Sequence, residues 1–195
     1  IRITEEYGDE VFIAVHLPSP VCEIFDPTTG YVGFEQGLMA FHDRPEGMRL
    51  LFEIAYELHL EWARAYASAG AHAFIISESY VSPEIAGPEV YRRFLKPIHK
   101  EYFWEIERMG LVPICNFWGD AIPILEDLAE INARALMVEE SKKGFRLDIL
   151  EIRERIGGRI CLFGNLDSLE LLHDGKPEQV REEALRQAAG ASRNF

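Results

Sequence analysis

Basic side chains are scarce in this sequence of 195 residues. Its 20 lysines and arginines stand against 33 aspartates and glutamates, which gives a formal net charge of −13. A surface with that charge repels phosphate backbones and anionic lipid headgroups, so we expect neither a nucleic-acid partner nor a membrane partner. Hydrophobic residues make up 48% of the chain, enough for a packed core, which excludes a disordered or fibrous protein.

Cysteines and long apolar runs are also scarce. The three cysteines, Cys22, Cys115 and Cys161, are odd in number and far apart, which is unlike a disulfide framework. No apolar run approaches the roughly 20 residues that span a bilayer. Residues 1–10 lack the basic-then-apolar order of a secretory signal. Together these features predict a cytoplasmic protein.

Several ligand-binding motifs are absent. No G-x-G-x-x-G or G-x-x-x-x-G-K-[ST] segment follows a predicted strand, which excludes a dinucleotide site and a P-loop. No G-x-S-x-G elbow is present, so a serine hydrolase of that type is excluded as well. The six histidines form neither an H-x-H nor an H-E-x-x-H pair, and the sequence therefore predicts no metal site.

Short apolar runs alternate with long amphipathic segments along the chain. The runs are four to seven residues long with little polar alternation, which predicts strands covered on both faces, at 11–17, 73–77, 112–117, 135–139 and 160–164. Apolar residues at three- and four-residue spacing predict helices at 45–69, 88–108, 122–131, 148–155 and 177–189. Glycines at 70, 110, 157–158 and 190 mark helix ends. Such repetition is typical of an α/β protein with a parallel sheet.

Two parallel architectures are compatible with this pattern. A doubly wound open sheet fits the length of the chain, whereas a (β/α)8 barrel needs roughly 250 residues. Residues 193–195 look like the opening of a further strand, which favours an incomplete barrel. Periodicity alone leaves both architectures open.

In either architecture the site lies beyond the carboxyl ends of the strands. We expect the carboxylates of Glu78, Asp120, Glu139 and Asp167 to share one mouth, where they would raise one another's pKa values. The alternative is that these acids only cap helices. Trp118 and Tyr80 are either walls of a pocket or aromatic core residues. The remaining strand-end candidates are His16, Ser79, Asn116 and Asn165.

At these same strand ends the chain resembles the uroporphyrinogen decarboxylase superfamily. The resemblance rests on Gly70-Ala71-His72-Ala73 followed by Glu78-Ser79, on the F-x-x-P-x-x-K segment at 94–100, and on Gly164-Asn165-Leu166-Asp167, with Ser168 in place of the family proline. It implies a (β/α)8 TIM barrel that is only partly present. Residues 1–195 would form a single incomplete domain with about five βα units and the start of a sixth strand. The first and last barrel strands would lie outside this chain.

The resemblance implies one of two chemistries. Decarboxylases of the superfamily remove carboxylates from a porphyrinogen without a metal or an organic cofactor, and we expect this reaction first. The alternative is methyl transfer linked to a corrinoid protein, which in this superfamily uses zinc bound by an H-x-C-G motif. Asn116 and Trp118 occupy the matching positions, so this chain would act without that motif. A barrel that binds a ligand without turnover is a third reading.

The resemblance and the strand-end positions together assign roles. Glu78 and Asp120 are the expected catalytic residues. The expected substrate-binding residues are His16, Ser79, Tyr80, Asn116, Trp118, Glu139, Asn165 and Asp167. No metal ligand and no cofactor are assigned. The candidate partners are a tetrapyrrole-like small molecule, a corrinoid protein and a second copy of the chain.

Overall fold

A single parallel sheet organises the structure, which is a computed structural model describing residues 2–28, 30–141 and 144–191. Each strand pairs with the strand before it in sequence, so the order in space is the order in the chain. A doubly wound sheet would reverse direction after its first strands, whereas consecutive order is that of part of a (β/α)8 barrel. The strands are β1 (Ala14–Pro18), β2 (Ala73–Glu78), β3 (Val112–Phe117), β4 (Ala135–Val138) and β5 (Cys161–Phe163).

Helices connect the strands. In chain order they are α1 (Arg2–Tyr7), α2 (Pro20–Phe25), α3 (Phe34–Asp43), α4 (Pro45–Ser68), α5 (Pro83–Ala86), α6 (Pro88–Val90), α7 (Lys96–Arg108), α8 (Leu125–Leu128), α9 (Ile149–Ile156) and α10 (Pro177–Ala191). A π-helical segment spans Tyr91–Leu95, and 3₁₀ segments span Ile122–Ile124 and Gly157–Arg159. None of the described helices combines the length and apolar character needed to cross a bilayer.

The five predicted strands and the helices predicted at 45–69, 148–155 and 177–189 are confirmed, with differences at their ends. The helix predicted at 122–131 is wrong in length, because a 3₁₀ segment occupies Ile122–Ile124 and α8 spans only Leu125–Leu128. The first strand begins at Ala14 instead of residue 11, because Val11 and Phe12 are exposed before the chain enters the sheet. Residues 88–108 are not one regular helix. Pro97 has no N–H to donate to the preceding turn, and the backbone widens so that the Lys96 N–H reaches the Tyr91 carbonyl, five residues back.

The predicted helix ends are confirmed at three of the four glycine positions. Gly70, Gly110 and Gly157 have positive φ angles, whereas Gly190 lies within α10 and does not end it. The further strand predicted at 193–195 lies outside the described residues.

The two faces of the sheet have different surroundings. Phe74 and Ile76 of β2 point into the large core between the sheet and the helices. Ala73 of β2 packs with Ile114 and Ala135 on the opposite face, which is the interior side of a barrel. Side chains therefore alternate between the helix layer and the barrel interior along each strand.

Helices α2 and α3 fill the space between β1 and α4, and neither was predicted. The Ser19 hydroxyl accepts the Cys22 N–H and caps α2, which starts at Pro20. α3 then brings Gly37 against the fully buried ring of Phe25. Both helices are short. Their apolar residues follow the contacts with the aromatic core and show no clear helical periodicity in the sequence.

The close approach of Gly37 to Phe25 predicts a stability change. A Cβ atom at position 37 would lie 1.8 Å from a Phe25 ring carbon. We expect Gly37→Ala to lower the free energy of unfolding by about 1–3 kcal/mol through overpacking, measured by urea denaturation. The matched control is Gly47→Ala in α4, where the nearest atom is 3.9 Å from the new Cβ. If the two alanine variants have equal midpoints, the packing at Gly37 is looser than described.

Candidate active site

A hydrogen-bonded cluster lies at the carboxyl ends of β1, β2 and β3, on the interior face. Its centre is the hydroxyl of Ser77. The Asn116 amide nitrogen donates to Ser77 Oγ at 2.9 Å, and the Trp118 indole nitrogen lies 3.4 Å from the same oxygen. The Nε2 atom of His16 is 2.6 Å from Ser77 Oγ. Three side chains of the predicted set, His16, Asn116 and Trp118, are thus brought together.

The donors in this cluster determine the proton positions. The amide of Asn116 and the indole of Trp118 can only donate through these nitrogens, so they occupy the two lone pairs of the Ser77 oxygen. The Ser77 hydroxyl proton is then directed to His16 Nε2, which leaves an N–H on His16 Nδ1. Within the described part of the chain, His16 Nδ1 has no hydrogen-bond partner. This N–H is a donor open to a bound molecule.

Glu78 lies on the other face of β2, in a buried polar network of the helix layer. Its carboxylate is fully buried and accepts hydrogen bonds from Ser19 Oγ at 2.8 Å and from the Tyr56 hydroxyl at 2.7 Å. His99 Nε2 is 2.9 Å from the same oxygen that Tyr56 contacts. Tyr91 completes the network through His99 Nδ1 at 3.3 Å.

Burial governs the ionisation of this network. The pKa values of Tyr56, Tyr91 and Tyr102 are raised well above the ordinary value, first by burial and in part by the negative charge of Glu78. Burial and then the charge of Glu78 also raise the pKa of the Cys22 thiol. At neutral pH these groups are protonated, and the Tyr56 hydroxyl donates a hydrogen bond directly to the Glu78 carboxylate.

The expectation that four carboxylates share one mouth is wrong for their side chains. Their strands do run parallel and side by side, but Glu78 turns into the helix layer. Asp120 accepts the Ile122 N–H at 3.0 Å and caps the following 3₁₀ segment. Asp167 accepts the N–H groups of Leu169 and Glu170 in its own turn. Both aspartates bind backbone N–H groups of their own turns, as the capping alternative expects, although no described helix follows Asp167.

Glu139 binds backbone rather than another carboxylate. It is 5% exposed, and its Oε2 accepts the Gly119 N–H at 2.8 Å. On the other side of the same turn, Glu84 of α5 accepts the Asp120 N–H at 3.0 and 3.1 Å. The turn after β3 is therefore held between two carboxylates.

The remaining predicted residues lie at the edge of the mouth. Ser79 contacts Cys22, with 3.1 Å between Oγ and Sγ, and the Tyr80 hydroxyl is 3.4 Å from an Asp26 carboxylate oxygen. The Asn165 amide nitrogen donates to the Leu147 and Glu139 carbonyls at 2.6 and 3.1 Å. Asn165 and Asp167 also line a polar cavity of about 470 Å³ beside β5 and α10.

The donors present at the end of β3 do not fit a zinc ion. Asn116 offers an amide that is engaged with Ser77, and Trp118 offers an indole, which has no lone pair for a metal. In residues 2–28, 30–141 and 144–191, no group of three or more histidine, cysteine, aspartate or glutamate side chains is arranged to hold a metal.

Two residues of the mouth were missed by sequence reasoning, Ser77 and Glu84. Ser77 lies inside the predicted strand 73–77, one position before the strand end that drew attention. Alternation along β2 is the signal that points to it, because Phe74 and Ile76 are apolar and Ser77 lies on the opposite face. Glu84 lies several residues after the end of β2, in α5, and the sequence pattern there does not indicate that it contacts the turn after β3.

Comparison with known proteins connects this geometry to a family with two activities. The chain is 33% identical over 138 residues to methylcobamide:CoM methyltransferase MtaA of Methanosarcina barkeri, covering 69% of this chain and 39% of that protein. It is 31% identical over 147 residues to uroporphyrinogen decarboxylase of Chlorobium phaeovibrioides, covering 75% of this chain and 39% of that protein. A solved methyltransferase from Methanosarcina mazei superposes with a TM-score of 0.84 and 25% identity, covering 97% of this chain and 53% of that one.

The chain spans about two fifths of the length of these curated relatives. The family profile described as uroporphyrinogen decarboxylase (URO-D) matches residues 1–194, nearly the whole sequence. The chain therefore belongs to the uroporphyrinogen decarboxylase family.

Proposed function

We propose that this chain forms the substrate-binding part of an enzyme that transfers a methyl group from a small methylated molecule to a corrinoid protein. The observation that carries the proposal is the hydrogen-bonded cluster of His16, Ser77, Asn116 and Trp118 on the interior face. It offers hydrogen bonds and an indole surface to a small ligand.

The charges around the mouth favour this substrate over a porphyrinogen. A porphyrinogen carries several carboxylates, and each buried carboxylate needs a cationic or N–H partner. The positions directly after the strands, at 19–20, 79–80, 118–120, 139–141 and 164–167, contain acidic residues and no lysine or arginine, and the first basic residues after β4 are Lys142, Lys143 and Arg146. The carboxylates there would repel a polyanion, whereas a neutral or cationic methyl donor meets no such repulsion.

His16 and Ser77 have the arrangement needed to assist a leaving group. When a methyl group leaves an oxygen or nitrogen atom, that atom keeps the bonding electron pair and needs a hydrogen-bond donor or a proton. The Nδ1–H of His16 supplies the donor, and Ser77 holds the ring through Nε2. Asn116 fixes the Ser77 oxygen from the opposite side. The corrinoid of the partner protein supplies the acceptor of the methyl group.

Asn116 and Trp118 do not fit the zinc site of the superfamily methyltransferases that activate a thiol, because their amide and indole provide neither an imidazole nor a thiolate ligand. The role proposed for these two residues is accordingly hydrogen bonding at the Ser77 cluster. Similarity to MtaA, a methylcobamide:CoM methyltransferase, supports the link to a corrinoid, and similarity to the methyltransferase of Methanosarcina mazei supports methyl transfer; the direction toward the corrinoid rests on the Ser77 cluster.

Decarboxylation is the second candidate function. It is favoured by the Gly164-Asn165-Leu166-Asp167 segment and by similarity to uroporphyrinogen decarboxylase of Chlorobium phaeovibrioides. In that case the cations for the substrate carboxylates come from segments beyond those described.

The two functions are separated by one pair of assays on the polypeptide that carries this sequence. We expect it to form methylcobalamin from cob(I)alamin and a methyl ether, a methylated amine or a methyl thioether, followed by absorption spectroscopy. We expect no release of CO2 from uroporphyrinogen. Release of CO2 without methylcobalamin would overturn the proposal in favour of decarboxylation, and absence of both reactions would overturn it in favour of a binding barrel.

The Ser77 cluster predicts the response of the methyl transfer rate to substitution. Ser77→Ala removes the group that orients His16, so we expect kcat to fall by about 100-fold, the scale of general-acid assistance. The control is Ser68→Ala at the end of α4, which lies at the opposite end of the sheet and should leave kcat unchanged. A rate loss of less than about threefold for Ser77→Ala would remove His16 from the mechanism.

Glu78 predicts a different response, because its carboxylate is enclosed in the helix layer. Glu78→Gln removes the charge from a buried network with three donors, and we expect the free energy of unfolding to fall by roughly 2–4 kcal/mol. The control is Glu126→Gln, which breaks a surface pair with Arg155 and should cost less than about 1 kcal/mol. Urea denaturation measures both. Equal stabilities would contradict the structural role of Glu78 and return it to the expected catalytic set.

A further inference from the structure

Residues 118–120, the turn after β3, are hydrogen-bonded to carboxylates from the segments that follow β2 and β4. The Gly119 N–H donates to Glu139 Oε2 at 2.8 Å, and the Asp120 N–H donates to both carboxylate oxygens of Glu84 at 3.0 and 3.1 Å. Glu84 belongs to α5, which follows β2, and Glu139 follows β4. Two consecutive N–H groups are thus held from opposite sides by charge-assisted hydrogen bonds, the stronger kind.

Gly119 makes this arrangement sterically feasible. Its φ angle is +101°, a conformation that other residues rarely adopt. A Cβ atom there would lie 2.3 Å from a carboxylate oxygen of Glu84 and 2.6 Å from the Cβ of Ser82. The loop after β2 is therefore packed directly against the turn, and only a glycine admits the Glu84 carboxylate.

The conformation of the turn orients the side chain of its first residue, Trp118. The backbone N–H of Trp118 donates to the Glu78 carbonyl at 2.8 Å and continues the ladder between β2 and β3. Its indole is 43% exposed and reaches Ser77 Oγ at a long 3.4 Å, so packing and that hydrogen bond hold it only weakly. The orientation of the indole therefore depends mainly on the backbone conformation of residues 118–120.

We propose that Glu84 and Glu139 are positioning residues that hold the Trp118 indole at the Ser77 cluster. Neither carboxylate needs to touch the substrate in this role. The effect on turnover rests on the proposed function, whereas the placement of the indole can be measured without it.

A variant with one tryptophan tests the placement. The sequence contains three tryptophans, and Trp62→Phe with Trp104→Phe leaves Trp118 alone; both replaced residues are exposed on helices. In this background we expect Glu84→Ala and Glu139→Ala to raise the acrylamide quenching constant of Trp118 by about twofold, as the indole becomes fully solvated. Glu139→Gln keeps an acceptor for the Gly119 N–H and should restore much of the parent value.

The same variants test the consequence for catalysis. We expect kcat/KM for methyl transfer to fall by about 10- to 100-fold in Glu84→Ala and Glu139→Ala, because a small misplacement of a binding group has a large effect on rate. The control is Glu89→Ala in α6, an exposed carboxylate that pairs with Arg92 on the surface and should change neither quenching nor rate. Circular dichroism confirms that each variant is folded, and Glu84→Ala with Glu139→Gln decides the case if Glu139→Ala does not fold.

The outcomes separate the two proposals. Quenching constants in the folded alanine variants equal to that of Glu89→Ala would overturn the positioning role. A parent protein that transfers no methyl group, while its alanine variants expose Trp118, would overturn the proposed function and support the positioning role. Loss of turnover with unchanged quenching would overturn the positioning role, since the carboxylates would then act without moving the indole.

Discussion

Alternation of side chains along β2 is the constraint on which the rest of the site depends. The strand lies between a helix layer and the barrel interior, so the side chains of consecutive residues point alternately into these two environments. Ser77 faces the interior and gathers His16, Asn116 and Trp118, while Glu78 faces the helices and gathers Ser19, Tyr56 and His99. The register with β3 places Asn116 beside Ser77, which completes the cluster. A shift of one residue in this register would exchange a buried carboxylate with a neutral hydroxyl and destroy both networks.

Much of the fold was predictable because buried parallel strands leave a strong sequence pattern. Five apolar runs, three of them preceded by glycines that end helices, were sufficient to place all five strands, and the three-to-four spacing was sufficient to place α4 and α10. The helices between β1 and α4 were not predictable in the same way, since they are short and their burial is set by tertiary contacts. The choice between an open sheet and a barrel depended on strand order, which periodicity does not contain.

The candidate site was predictable in position but not in chemistry. Parallel strands guarantee that Glu78, Asp120, Glu139 and Asp167 lie near one edge of the sheet, and the sequence shows this. The direction of each side chain depends on which face of the sheet its position points to. It also depends on which backbone N–H groups of the following turn need an acceptor. Glu139 satisfies such an N–H at Gly119, and Asp120 and Asp167 satisfy others in their own turns. For these three residues local hydrogen bonding decides the geometry.

The acidic character of the strand ends therefore has two separate consequences. Inside the structure, carboxylates accept hydrogen bonds from backbone N–H groups and from a tyrosine hydroxyl. These hydrogen bonds hold the loops in place. The residues directly after the strands, at 19–20, 79–80, 118–120, 139–141 and 164–167, include acidic side chains and no basic ones. The family includes proteins that act on a tetrapyrrole and proteins that transfer a methyl group, so the same fold serves both kinds of substrate. Bringing a substrate with several carboxylates to strand ends that carry Glu and Asp costs electrostatic free energy, which is the physical reason for the methyl donor proposed above.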